Sequence, residues 1–173
     1  MIRLEPLTPD HAPAMFEGLS DPAAYTFLPD DPPANLQTLQ ARYRRLAAGR
    51  SADGSALWFN WVVRRQADGT FLGTTQATVQ GGRATVAYHV FPTFWRQGIG
   101  RAALAATLDL VFASGRVTLA QALVDTRNRA SRALLEATGF TAVRTIERAD
   151  FFKGGASDET QFELARSDWR PRL

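Results

Sequence analysis

The hydrophobic period changes near residue 57, and this change confines the chain to folds that join helices to an antiparallel sheet. Before it, apolar residues recur at helical spacing. Ala12, Met15, Phe16 and Leu19 fall at i, i+3, i+4 and i+7, and Leu36, Leu39, Tyr43 and Leu46 make a second stripe. After it, Leu57, Phe59, Trp61 and Val63 alternate with Trp58, Asn60, Val62 and Arg64, which is the two-residue period of a strand. Asp68-Gly69 and Gly81-Gly82 are turn signals, so residues 71–79 and 84–90 follow as further strands of an antiparallel meander. Thr8 (with Pro9 behind it) and Asn35 suit the caps of the two early helices. Residues 21–33 hold four prolines and read as a loop.

The second half alternates helix and strand. Residues 100–114 form a helix with Leu104, Leu108, Val111 and Phe112 inward, Asp109 on the other side and Gly115 as its stop. Residues 117–124 are a continuous apolar-rich run, as in a strand covered on both faces. Asn128 caps a helix that runs to Thr138 before Gly139, and residues 141–152 and 160–165 make a hairpin around Gly154-Gly155. With a short strand at residues 2–6, the order is β-α-α-β-β-β-α-β-α-β-β. The expected class is α+β: one domain over residues 1–173, with a mixed central sheet of six to seven strands flanked by helices.

Composition removes several chemistries. The chain has no cysteine, so disulfides, zinc–thiolate sites and cysteine nucleophiles are excluded, and no metal site is expected. Net charge is +3, Lys153 is the only lysine, and like charges do not run beyond two or three residues, which disfavours a nucleic-acid footprint. No apolar run is long enough to span a bilayer, and residues 1–6 lack the regions of a signal peptide, so a cytoplasmic protein is expected.

Between the third strand of the meander and the next helix lies Trp95-Arg96-Gln97-Gly98-Ile99-Gly100-Arg101. A diphosphate needs several backbone N–H groups aimed at one spot and a positive helix end. Glycine lets backbone approach phosphate oxygens, and Arg96 and Arg101 add charge at the rim. A loop that merely turns on its glycines would look the same. Gly98-x-Gly100-x-x-Ala103 also matches the dinucleotide fingerprint, with Asp125 loosely placed as the ribose-binding acid. Against that reading, residues 91–97 separate the fingerprint from its strand, antiparallel strands precede it, and only about 70 residues follow.

The stretch Tyr88-His89-Val90-Phe91-Pro92-Thr93-Phe94-Trp95-Arg96-Gln97-Gly98-Ile99-Gly100 resembles the acetyl-CoA motif of the GNAT superfamily of N-acetyltransferases, Q/R-x-x-G-x-G/A. Trp95 stands at its first position, a departure familiar in the ribosomal-protein N-terminal acetyltransferase (Rim-type) branch. Asn128-Arg129-Ala130-Ser131, Leu134-Leu135-Glu136 and Gly139-Phe140 resemble that branch's N-x-x-S…L-L-E-x-x-G-F signature. Residues 158–169 resemble its D-x-x-x-[YF]-x-L-x-x-x-[DE]-W tail. One departure stands out: Arg101-Ala102-Ala103 replaces the Thr-Glu-Ala common in relatives, so the role of that glutamate does not carry over.

The resemblance implies transfer of acetyl from acetyl-CoA to a primary amine, either a protein N-terminus or a small molecule. A non-catalytic acetyl-CoA-binding sensor or scaffold is the alternative, and a homodimer is possible. Arg96, Gln97, Gly98, Ile99, Gly100 and Arg101 would hold the diphosphate. His89, Val90 and Phe91 would meet the pantetheine arm and the oxyanion, mainly through backbone, where this strand splays from the next parallel one. Ser131 is the candidate acid for the departing thiolate, and Asn128 is a helix cap, a pantetheine contact or both. His89 is the candidate base, although water could serve an α-amine that is partly neutral already. Tyr88 points to the opposite face from His89. Tyr25, Phe27, Asp30, Asp31 and Trp58 are candidate acceptor contacts, with an aromatic core and a solvated loop as the plainer reading of the same residues.

Overall fold

A computed structural model describes residues 1–171. Seven strands form one sheet: β1 (Ile2–Pro6), β2 (Leu57–Arg65), β3 (Phe71–Gln80), β4 (Arg83–Val90), β5 (Leu119–Asp125), β6 (Thr141–Phe152) and β7 (Gly155–Ala165). Their spatial order is β1-β2-β3-β4-β5-β7-β6, with β4 and β5 as the one parallel pair among the described residues. Four α-helices flank it: α1 (Ala12–Leu19), α2 (Leu36–Ala47), α3 (Ile99–Ala113) and α4 (Arg129–Thr138). This is the α+β order expected from the sequence. A mostly antiparallel sheet of this kind is incompatible with the dinucleotide-binding reading, and Asp125 is buried against Ser157 and Arg127 rather than free for a ribose. Among the described residues, no helix is long and apolar enough to cross a membrane.

Alternation along the strands divides the core between the two sheet faces. Val63 joins Leu72 and Ala103 on the α3 side, whereas its neighbour Val62 packs with Met15, Leu19, Leu39 and Phe91 on the α1–α2 side. The α3–α4 side holds the larger cluster, with Leu104, Leu108, Val111, Leu135, Phe140, Phe162 and Leu164. Trp169 folds back onto this cluster and donates its indole N–H to Asp109 at 2.9 Å, so the residue on the far side of α3 anchors the C-terminal tail.

Several boundaries moved from their expected places. Pro9–His11 form a short 3₁₀ turn before α1, because Pro13 lacks the N–H that an α-helical turn would donate to Pro9 C=O. The cap at Asn35 is present, its Oδ1 accepting from Thr38 N–H at 2.8 Å. β7 begins at Gly155 rather than near Thr160, since Ser157 and its neighbours pair with β6 down to the turn although they are too polar to read as strand. A register shift between Ile146 and Asp150 bends β6, which is the exposed edge of the sheet.

Helix α3 reaches α4 through Gly100. A Cβ there would lie 2.7 Å from Leu134 Cδ1 and 3.6 Å from Val90 Cγ2. The absence of a side chain therefore brings α3, α4 and the end of β4 together. Gly100→Val is expected to lower stability by about 1–3 kcal/mol, the usual cost of overpacking. Denaturant unfolding of the variant measures it, and a Leu134→Ala background should recover part of the loss.

Candidate active site

The parallel pairing of β4 and β5 ends almost as soon as it begins. Arg83, Ala84 and Thr85 face Leu119, Ala120 and Gln121, and the strands diverge beyond that point. Gln121 Nε2 donates to Thr85 Oγ1 at 2.8 Å and marks the fork. Residues 86–90 keep their antiparallel partners on β3 but have none on β5. Phe91 N–H donates to Leu72 C=O on β3 at 2.9 Å. Because N–H directions alternate along a strand, the Val90 and Tyr88 amides point the other way, into the fork. Of the three backbone contacts expected here, Val90 is thus the one with its N–H toward the opening. The Phe91 amide is engaged on β3, and the alternation sends that of His89 to the same side.

The turn that follows is closed by Trp95, whose indole N–H donates to Val90 C=O at 2.8 Å. This contact accounts for a tryptophan at the first position of the glycine motif. Arg96 has φ 63° and Gly98 φ 75°, which turn the chain sharply into α3. The first intrahelical bond runs from Ala102 N–H to Gly98 C=O, and no side chain caps the helix. The N–H groups of Ile99, Gly100 and Arg101 therefore lie before the first bonded amide and face outward. A Cβ on Gly98 would have nothing within 4 Å, so the space above that amide is open. Arg96, Gln97 and Arg101 are exposed around it. The two glycines differ in role: Gly98 supplies the left-handed turn and the open approach, and Gly100 supplies helix packing.

On the α3–α4 side of the fork, Tyr88 Oη lies 2.7 Å from Ser131 Oγ and donates toward Ser131 C=O at 3.3 Å. Asn128 Oδ1 accepts from Ser131 N–H at 3.1 Å, so the asparagine caps α4 and fixes the serine in its first turn. Burial pushes the Tyr88 phenol up to about 12, against a weaker opposing effect of the Ser131 hydrogen bond. Tyr88 is accordingly a neutral donor at physiological pH. Its pairing with Ser131 was not read from the sequence, although strand alternation had already sent it to this face.

On the α1–α2 side, His89 stands at the wall of a cavity of about 180 Å³. Burial, with a smaller contribution from the Arg42 charge, brings its imidazole down to about 4. It is therefore neutral at pH 7, and its Nε2 is buried without a protein partner among the described residues. Tyr25 packs on it at 5.1 Å between ring centroids and donates its hydroxyl to Leu19 C=O at 2.8 Å. Asp30 also lines the cavity, facing Arg42 at 3.6 Å.

The remaining expected acceptor contacts lie elsewhere. Asp31 pairs with Lys153 at 3.5 Å, and Lys153 Nζ also donates to the carbonyls of Leu28 (2.6 Å) and Asp30 (3.0 Å), tying the proline-rich loop to the β6–β7 turn. Trp58 pairs with Thr78, which faces Thr85, four residues before His89 and roughly 13 Å along the strand. Neither Phe27, Asp31 nor Trp58 is part of the cavity wall. Tyr43 and Arg42 of α2 are, and neither was singled out as a contact from the sequence. Tyr43 lay in the apolar helical stripe, where an aromatic reads as core.

A fork in a parallel pair, an uncapped helix start behind a left-handed glycine and a hydroxyl pair thus converge at the end of β4. Among solved structures, the chain resembles an acetyltransferase from Salmonella typhimurium that modifies the N-terminal serine of ribosomal protein L7/L12. Identity there is 16%, the TM-score is 0.83, and the match covers 95% of this chain and 94% of the other. A ribosomal-protein-S5-alanine acetyltransferase from Vibrio fischeri matches with 19% identity and TM-score 0.81, over 98% and 96% of the two chains. A spermidine N-acetyltransferase chimera from Vibrio cholerae matches with 16% identity and TM-score 0.80, over 96% of each. At these identities the likeness concerns the fold. No curated protein matches the chain. The family model of the GNAT acetyltransferase domain matches residues 2–141, most of the sequence, and the chain therefore belongs to the GNAT acetyltransferase family.

Proposed function

We propose that this protein transfers the acetyl group of acetyl-CoA to a primary amine. The observation that carries the proposal is the fork between β4 and β5, flanked by the open α3 start and the Tyr88–Ser131 pair. The unbonded amides of Ile99, Gly100 and Arg101, with Arg96 and Arg101 at the rim, fit a diphosphate. The amides of Tyr88 and Val90 fit an amide-bearing arm that lies along β4 as an added strand. An acetyl thioester at the mouth of the fork would then sit between the hydroxyl pair on one side and the cavity on the other.

The acceptor nitrogen attacks the thioester carbonyl carbon from the cavity side, a C–N bond forms and the C–S bond breaks. Val90 N–H is placed to donate to the oxyanion while it exists. Ser131 would give its proton to the departing sulfur while Tyr88 passes its own across the 2.7 Å contact, and Tyr88 would regain a proton from solvent, which takes up the one the nitrogen loses. The nitrogen sheds a proton to solvent. A histidine brought down to about 4 is poorly matched to take it, because efficient general bases have pKa values near the working pH. His89 is better suited to contacting the acceptor as a neutral group. The experiment that tests the function is calorimetric binding of acetyl-CoA followed by a CoA-release assay over a panel of amines. Binding with turnover is expected, and an absence of acetyl-CoA binding would overturn the proposal.

Ser131→Ala should lower kcat by about 10²-fold or more when chemistry limits the rate. Acetyl-CoA affinity should stay nearly constant, while Tyr88→Phe should lower kcat less. Steady-state kinetics with parallel calorimetry distinguishes this from loss of a local hydrogen bond, which would appear as roughly 1 kcal/mol of stability. At the glycine turn, Gly98→Ala should weaken acetyl-CoA binding by at least tenfold while the domain remains folded at a cost of about 1–2 kcal/mol, because its Cβ would project into the open approach from a left-handed φ of 75° that strains any side chain. The pH profile of kcat/KM should rise with deprotonation of whichever amine is used and show no inflection near 6.5, since His89 is already neutral above about 4. A limb near 6.5 that disappears in His89→Gln would instead mark histidine as the base.

A further inference from the structure

The cavity beside His89 lies under the proline-rich loop and is walled by α2 and the sheet. Its floor and sides are mostly apolar, with Leu7, Leu19, Leu39 and Leu46 among them. Polar residues interrupt this lining, Asn60, Thr74 and Gln76 among them, and two of the residues carry a buried polar atom with no partner among the described residues. Tyr43 is 2% exposed, and its hydroxyl has no protein partner among the described residues. His89 Nε2 is likewise buried and unpartnered. A hydroxyl buried without a partner costs free energy that phenylalanine at the same place would not, so two such groups on one small cavity point to an occupant that satisfies them.

Charge narrows the occupant further. Arg42 lines the same cavity, and its positive charge acts on Tyr25, Tyr43 and His89 alike. Among the described residues Asp30 is the one carboxylate on the wall, and it faces Arg42. Tyr43 is held as the neutral phenol by burial and can donate a hydrogen bond. An arginine together with a phenol donor suits an oxygen acceptor and repels a second ammonium group. A volume of about 180 Å³ suits one compact apolar group, since an apolar cavity of about 150 Å³ takes up benzene.

We infer that the acceptor is an α-amino acid unit with a compact apolar side chain, seated in this cavity. Its side chain lies among the leucines, its carboxylate or carbonyl oxygen meets Tyr43 and Arg42, and its amine faces the fork at His89. A free amino acid and the first residue of a peptide share this chemistry. Polyamines do not fit it. This inference rests on the acetyl-transfer reading above and assigns the acceptor class within it.

The test uses the full chain in a CoA-release assay with leucine, leucinamide, Leu-Gly-Gly, glycinamide and spermidine, preceded by acetyl-CoA calorimetry. Leucinamide should exceed glycinamide and spermidine at least tenfold in kcat/KM. Turnover of free leucine would identify the source as a metabolite, and turnover of Leu-Gly-Gly as a chain N-terminus; either supports the inference. Tyr43→Phe should raise KM for leucinamide about five- to tenfold, with unchanged acetyl-CoA affinity and a melting temperature equal or higher. A purely structural role would lower the melting temperature and leave KM alone. Arg42→Gln should raise KM more for free leucine than for leucinamide. Preference for spermidine, or an unchanged KM in Tyr43→Phe, would overturn the inference while leaving acetyl transfer standing. Failure to bind acetyl-CoA, or no turnover of any amine, would overturn the acetyl-transfer reading itself.

Discussion

The arrangement depends on a parallel strand pair that stays paired for only three residues. Where β5 leaves β4, the amides of the diverging stretch lose their neighbour, and backbone polar groups away from water need some partner. Gly100 lets α3 close on Val90 and Leu134, and Trp95 ties the turn to the last carbonyl of β4. These contacts hold the end of β4 in place while its outer edge stays open. A rigid strand with one unused edge is what an extended amide-bearing ligand can add to.

The same strand separates two chemical tasks by the simplest rule of β structure. Tyr88 and His89 are adjacent in sequence and face opposite sides of the sheet. One meets Ser131 at the start of α4, and the other meets Tyr25 under the loop. Burial drives both toward their uncharged forms, raising the phenol and lowering the imidazole, so neither leaves an unpaired charge in the core. Neutral hydrogen-bonding groups on both sides of a fork suit the proposed transfer, which needs a proton delivered to sulfur and a neutral nitrogen opposite.

The proposed acceptor side is assembled from parts distant in the chain. Lys153, at the tip of the β6–β7 hairpin, binds the carbonyls of Leu28 and Asp30 and thereby fixes the loop over the cavity. Leu28, Asp30, Pro33, Leu39, Arg42 and His89 then share one wall. The structurally similar proteins named above include acetyltransferases of ribosomal proteins and of spermidine on one fold. At 16–19% identity what they share with this chain is the fold.

The sequence by itself determined the element order, the antiparallel meander, the glycine turn and the family, because these are recorded as local periods and short motifs. Ser131, Asn128 and the turn from Trp95 to Arg101 were legible for the same reason: each lies in one contiguous segment with a recognisable spacing. Tertiary structure alone decided the pairing of Tyr88 with Ser131 and the split roles of Gly98 and Gly100. It also decided that Tyr43 and Arg42, rather than Phe27, Asp31 and Trp58, line the cavity. A helical stripe places Tyr43 toward the interior but does not say whether its hydroxyl finds a partner there. That outcome depends on which atoms of other segments arrive around it, and no local pattern carries that information.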